Sequence, residues 1–148
     1  MYKLAILLFF ALPSGLLHAE DQERVIESLD AYFDFADYGG ATIFPEQIPA
    51  EEWKNFYLVD ARSDSQFDTQ HIPGAVNIEW RQLLTRRDEL PRDKPVLVYC
   101  NTGALSSQAV FALRVAGYDN VRILQGGIEA WLRKGGFEAY ARAVEPAK

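Results

Sequence analysis

The sequence predicts an α/β fold built on a parallel β-sheet with helices on both faces. Two observations point to this class. Compact apolar runs recur along the chain, and helical patterns separate most of them. Strands of a parallel sheet read as continuous apolar runs, because helices cover both faces of the sheet. The chain has 148 residues, 49% of them hydrophobic, which is enough for one packed domain of ordinary size.

The first predicted elements lie in the N-terminal third of the chain. Apolar residues recur at helical spacing between acidic ones over residues 22–38, which predicts a helix that ends at the glycine pair following it. Residues 42–44 read as a short strand. Pro45 suits the first position of a helix, so a short helix is expected over residues 45–52.

Four more apolar runs predict the other strands. They cover residues 56–59, 75–78, 96–99 and 121–124. Helical patterns follow three of these strands, over residues 80–90, 105–116 and 128–134. Sites in open parallel sheets lie beyond the carboxyl ends of the strands. Residues that directly follow an apolar run are therefore the first candidates for function.

Composition and charge argue against several classes of function. The formal net charge of −6 is unsuited to binding nucleic acid or anionic lipid. Two histidines and one cysteine cannot build a typical zinc site, and no glycine motif for a nucleotide is present. We therefore expect neither a metal nor another cofactor.

Residues 1–19 have the order of a secretory signal peptide. Lys3 gives a positive start, residues 4–12 are apolar, and the small residue Ala19 precedes Glu20. The apolar run is shorter than the ~20 residues that span a bilayer, and an uncleaved membrane anchor is the alternative. We predict an exported, periplasmic protein that does not bind the membrane after cleavage.

Cys100 is the single cysteine, and it directly follows the apolar run over residues 96–99. Exported proteins usually pair their cysteines, but a lone cysteine cannot pair within its own chain. The small residues after it can turn backbone N–H groups inward as a nest for an anion, and the next helix adds its positive end. Such surroundings lower the pKa of a thiol and make it reactive. An intermolecular disulfide and an inert buried cysteine are the alternatives.

Arg81 is a second candidate at this edge, because it follows the run over residues 75–78. Its guanidinium could attract an anionic substrate. An ordinary solvated side chain on the predicted helix is the alternative.

Four short stretches of the sequence form a combined motif when taken in chain order: LVDAR, HIPGAVNI, CNTGALSS and GGIEAW. They begin at Leu58, His71, Cys100 and Gly126. Together they resemble the single-domain rhodaneses, a family of thiosulfate and persulfide sulfurtransferases. The resemblance covers residues 42–136 and implies a rhodanese-like fold, in agreement with the sheet predicted from the apolar runs.

The resemblance also implies roles for individual residues. Cys100 would be the nucleophile that takes the outer sulfur of a donor as a persulfide and passes it to a thiol or to cyanide. Asp60 and Arg62 would form a salt bridge between loops, and His71 would fix a turn rather than take part in chemistry. The residues that would cradle the persulfide and the donor through backbone N–H groups are Asn101, Thr102, Gly103, Ala104, Leu105 and Ser106.

The loop departs from the family pattern at one position. Many rhodaneses and related phosphatases carry an arginine in or at the end of this loop, where this chain has Leu105 followed by two serines. Without that guanidinium the loop lacks a bidentate clamp for an oxyanion. This argues against phosphatase or arsenate reductase chemistry, and it favours a persulfide over thiosulfate as the donor.

The sequence thus predicts a sulfurtransferase that moves sulfane sulfur from thiosulfate or a persulfide to cyanide or a thiol, which can be a protein thiol. One alternative is a rhodanese-fold binding module without turnover, and another is a redox protein that forms mixed disulfides at Cys100. The predicted parts of the chain are a signal peptide (1–19), an N-terminal helical extension (20–41), a rhodanese domain (42–136) and a C-terminal tail (137–148).

Overall fold

The computed structural model describes residues 14–36, 39 and 41–136. The chain divides into two compact units, residues 1–36 and 37–148. Among the described residues, the first unit holds helix α1, Ser14–Phe35, and the second holds a β-sheet with the remaining helices. Most of the predicted signal peptide and the whole predicted tail lie outside the described residues.

Helix α1 begins earlier and ends earlier than the predicted helix over residues 22–38. Its first turns contain Leu16, Leu17 and Ala19, which are strong helix formers and extend the helix toward the N-terminus. The helix therefore runs through the predicted cleavage site. None of the helices within the described residues combines the length and the apolar character that a membrane span requires.

Five parallel strands form one sheet. They are β1 Thr42–Ile43, β2 Tyr57–Asp60, β3 Val76–Asn77, β4 Val96–Tyr99 and β5 Val121–Leu124. Their order in the sheet is β1-β5-β4-β2-β3, so β4 lies in the centre. Each strand lies within two residues of its predicted position, and the predicted fold class is confirmed.

The sheet separates two apolar clusters, one on each face. Successive side chains of β4 alternate between them, as expected for a strand buried on both sides. The first cluster contains helix α3, Ala104–Val115, and its buried members include Val59, Val96, Val98, Val110, Leu113 and Val121. The second contains helix α4, Gly127–Arg133, and its buried members include Trp53, Leu58, Leu97, Tyr99, Leu124, Ile128 and Trp131.

The predicted helix over residues 45–52 is wrong in detail. Two 3₁₀ helices occupy this region, Pro45–Gln47 and Ala50–Asn55. Pro49 lies between them and has no N–H to donate, so a continuous helix is interrupted there.

The predicted helix over residues 80–90 is also wrong. The segment consists of turns followed by a 3₁₀ helix, Arg87–Glu89. Several of its backbone hydrogen bonds span three residues, as in the bonds from Gln82 to Glu79 and from Leu90 to Arg87. Leu83 and Leu90 are both buried in the first cluster, and this packing overrides the helical pattern.

Helix α2, Asp64–Thr69, was not predicted. None of its residues is buried, so it has no apolar face from which a helical pattern could be read. The one signal was the spacing of Ser63 and Gln66, which matches a capping box. Ser63 stands at the N-cap, but its side chain makes no hydrogen bond to the helix backbone, and its hydroxyl donates instead to Oε1 of Gln66 at 3.3 Å.

Candidate active site

Cys100 lies directly beyond the carboxyl end of the central strand β4, where the parallel sheet places its site. A short loop leads from it to the first residue of α3, Ala104. Gly103 caps that helix with a φ of 101°, a left-handed value that L side chains rarely adopt. Cys100 is 2% exposed, and its Sγ lies on the concave side of the loop.

Hydrogen-bond donors of the loop converge on Sγ of Cys100. The N–H of Gly103 donates to it at 3.2 Å, and the Ser106 hydroxyl lies 3.6 Å away. Burial raises the pKa of the Cys100 thiol, but the amide and hydroxyl of Ser106 and the amides of Leu105 and Gly103 lower it by more. The pKa is therefore below the ordinary value, and an inert buried thiol does not fit this geometry.

The loop residues predicted to bind substrate are brought together around Cys100. Gly103 and Ser106 are buried beneath the thiol, and Asn101 is half-buried. Thr102, Ala104 and Leu105 are exposed on the outer rim, with Leu105 at 37%. The loop thus presents polar donors on its inside and small or apolar side chains to solvent.

A buried ion pair underlies the loop. Arg62 and Asp60 are 7% and 0% exposed, and their closest N–O distance is 2.6 Å. Hydrogen bonds with Asp60 raise the pKa of the Arg62 guanidinium, which stays charged. The same guanidinium donates to the carbonyl of Gln70 at 2.6 Å and to Oδ1 of Asn101 at 3.4 Å. The expected salt bridge is present, and its contact with the nucleophile loop was not foreseen.

Tyr99 completes this buried network from the end of β4. Its hydroxyl accepts the N–H of Ile72 at 3.0 Å. Burial and the nearby Asp60 carboxylate raise the pKa of the phenol, which therefore keeps its proton. The turn at Ile72 is thus joined to the carboxyl end of β4.

His71 and Arg81 each contact residues close to them in the sequence. The His71 ring stacks on Phe67, with centroids 3.9 Å apart, and its Nδ1 donates to the Phe67 carbonyl at 2.9 Å. This local contact agrees with a role in fixing the turn. The Arg81 side chain is 73% exposed, and its Nε is 3.0 Å from the Glu79 carboxylate. Its charge is largely matched by that carboxylate.

The turn at Gly126 and Gly127 brings the start of α4 against the loop. The N–H of Ile128 donates to the carbonyl of Cys100 at 2.9 Å. Within the described residues, no group of three or more histidine, cysteine, aspartate or glutamate side chains is placed to hold a metal ion.

Comparison with known proteins places this geometry in a family. A model of the rhodanese-like domain matches residues 43–134, well over half of the chain. The chain belongs to the rhodanese-like domain family. The predicted resemblance is confirmed at this level, and the match runs from β1 to the end of α4.

Relatives of this rhodanese domain include named sulfurtransferases. It is 40% identical over 78 residues to a sulfurtransferase of Allochromatium vinosum, a match that covers 53% of this chain and 73% of that protein. It is 33% identical over 87 residues to the thiosulfate sulfurtransferase GlpE of Pseudomonas syringae, covering 59% and 82%. The solution structure of a rhodanese-like domain from Anabaena matches with a TM-score of 0.59 and 30% identity, covering 73% and 86%.

Replacing Arg62 in this rhodanese domain with methionine is expected to destabilise the fold strongly. The change leaves the buried Asp60 carboxylate without its partner, which costs about 3–5 kcal/mol of unfolding free energy. Arg81→Met is the matched control, because Arg81 also pairs with an acidic residue two positions earlier but its own side chain is exposed. That change should cost less than about 1 kcal/mol. Urea unfolding measures both, and equal losses would contradict the assigned role of the buried pair.

Removing the Ser106 hydroxyl is expected to raise the pKa of Cys100. A hydrogen bond to a charged group is worth about 1.5–3 kcal/mol, so Ser106→Ala should move the inflection of alkylation rate against pH upward by about one to two pH units. Ser107→Ala is the control, because the Ser107 hydroxyl donates to the Ala104 carbonyl instead. Identical inflections for the two variants would show that the hydroxyl does not stabilise the thiolate.

Proposed function

We propose that this protein transfers sulfane sulfur through a persulfide on Cys100, taking it from thiosulfate or a persulfide and giving it to a thiol or cyanide. The observation that carries the proposal is the convergence of loop donors on Sγ of a thiol whose pKa is lowered. Membership of a family with named sulfurtransferases supports it.

The reaction needs no oxidant or metal to balance. The Cys100 thiolate attacks the outer sulfur of the donor, and a new S–S bond forms as the bond between the donor's two sulfurs breaks. The electron pair leaves with the inner sulfur, giving sulfite from thiosulfate or a thiolate from a persulfide. In the second half, cyanide or a deprotonated acceptor thiol attacks the outer sulfur, and Cys100 leaves as a thiolate.

The loop would serve both halves of this reaction. Cys100 is an anion when it attacks and when it leaves, and N–H groups fixed by the fold stabilise it without rearranging. The remaining N–H groups from Asn101 to Ser106 would hold the negative outer sulfur of the persulfide. Arg81 would contribute little to binding an anionic donor, because its guanidinium is paired with Glu79.

We also propose that the protein is exported to the periplasm. The support is the order of charged, apolar and small residues in the first nineteen positions. An acceptor thiol would then belong to another exported molecule, and nucleic acid and membrane surfaces are not proposed as partners.

Intact mass spectrometry of protein purified from the periplasm tests the sulfur chemistry and the export together. Reduced protein treated with a donor should gain the mass of one sulfur atom, and cyanide should remove it as thiocyanate. Cys100→Ser should gain nothing. The unmodified mass should correspond to a chain that begins near Glu20.

Other masses would contradict the proposal in recognisable ways. A gain equal to the whole donor thiol indicates a redox protein that forms mixed disulfides. No gain with any donor indicates a binding module. A periplasmic chain that retains Met1 contradicts cleavage of a signal peptide without affecting the sulfur chemistry.

We propose a persulfide rather than thiosulfate as the preferred donor. Leu105 lies at the rim of the loop and is 37% exposed. The Arg62 guanidinium contacts the loop, but it is already bound to Asp60 and Gln70. A protein with net charge −6 is poorly suited to attract a dianion without a free cation at the site.

Leu105→Arg is expected to leave kcat/KM for thiosulfate within about threefold of wild type and to lower transfer from an alkyl persulfide. A charge-assisted contact in the transition state would instead raise thiosulfate efficiency about ten- to a hundredfold. Leu132→Arg is the matched control, because Leu132 is equally exposed and its replacement adds the same charge outside the loop. A tenfold gain confined to Leu105→Arg would contradict the donor preference, as would high wild-type efficiency on thiosulfate.

A further inference from the structure

The first turn of α4 donates two backbone hydrogen bonds to the nucleophile loop. The N–H of Ile128 bonds the carbonyl of Cys100 at 2.9 Å, and the N–H of Glu129 bonds the carbonyl of Asn101 at 3.2 Å. N–H groups in the first turn of a helix have no partner within the helix. Here they are satisfied by the two residues that begin the loop.

This contact requires the absence of a side chain at Gly127. A Cβ there would lie 2.3 Å from the carbonyl oxygen of Cys100 and 2.4 Å from that of Asn101. Both neighbours are backbone atoms, so neither can swing aside as a side chain could. Gly127 also has a φ of 58°, in the region that favours glycine.

The two hydrogen bonds from α4 also fix the N–H groups that follow the two carbonyls in the chain. A peptide unit is planar, so the orientation of each carbonyl sets the N–H of the next residue, which points the opposite way. The amides of Asn101 and Thr102 are therefore oriented by α4. The Asn101 side chain is held separately, by the Arg62 guanidinium at 3.4 Å. The start of the loop is thus anchored through both its backbone and its side chain.

We propose that Gly127 is a positioning residue for the nucleophile, because it lets α4 fix the first two peptide units of the Cys100 loop, from which the chain continues to the Gly103 and Ser106 donors that contact Sγ. This inference rests on the proposed sulfur transfer at Cys100 for its purpose. Its physical content, the shape of the loop, is measurable without any donor.

The first test compares Gly127→Ala with Gly117→Ala. Both glycines have a positive φ, but a Cβ at Gly117 would meet nothing within 4 Å, so that variant carries the backbone cost alone. For Gly127→Ala we expect the inflection of alkylation against pH to rise by about one pH unit or more, and sulfur loading to slow at least about tenfold. Gly117→Ala should keep the wild-type inflection even if its Tm falls. A wild-type inflection in folded Gly127→Ala would overturn the proposal.

A second pair keeps the test open if Gly127→Ala does not fold. Proline is tolerated in the first turn of a helix, so Glu129→Pro removes the N–H that bonds Asn101 while α4 is retained. Glu129→Ala reports the loss of the exposed carboxylate alone. We expect a higher inflection in Glu129→Pro than in Glu129→Ala, with matching circular dichroism. Equal inflections would overturn the proposal.

The outcomes also separate this inference from the proposed function. The alkylation rate reports the pKa of Cys100 and does not depend on sulfur transfer. A raised inflection of this rate against pH in the variants therefore supports the positioning role of Gly127 even if the wild-type protein carries no sulfur. In that case only the proposed transfer fails. Normal sulfur loading with an unmoved inflection in folded Gly127→Ala and in Glu129→Pro leaves the transfer standing and removes the role of Gly127.

Discussion

The buried ion pair between Asp60 and Arg62 is the interaction on which the arrangement of the site depends. Two charges taken out of water are stable only when their remaining hydrogen-bonding groups are also satisfied. Asp60 therefore fixes the guanidinium, and the guanidinium in turn bonds the carbonyl of Gln70 and the side chain of Asn101. In this way a pair formed at the end of β2 determines where the loop after β4 can lie.

Two effects act in opposite directions on the pKa of the Cys100 thiol. Burial excludes water from the sulfur but disfavours the thiolate, whereas the donors of Gly103, Leu105 and Ser106 favour it by more. These donors belong to the start of α3, which is held in place by its packing against one face of the sheet. A dry site with a stabilised anion is possible because the donors are oriented by the fold before the sulfur reacts.

The sheet and the location of the site could be predicted from the sequence, whereas the contacts that shape the site could not. Apolar runs identify the strands, and sites of parallel sheets lie at the strands' carboxyl ends, so Cys100 stands out by its position directly after β4. The bonds from Arg62 to Asn101 and from Ile128 to Cys100 join residues far apart in the chain, and no local pattern reports them. Residues 80–90 form turns instead of the predicted helix, because burial of Leu83 and Leu90 decides the course of their backbone.

The strand order has a consequence for how the chain folds. The Cys100 loop follows the central strand β4, but one of its supports, α4, comes after β5, the last strand of the chain in sequence. Contacts between residues distant in sequence form slowly, because the entropy of closing the chain between them must be overcome first. A nascent chain that ends before α4 thus lacks two of the hydrogen bonds that shape the loop. We expect activation of the thiol to be among the last properties that the protein acquires as it folds.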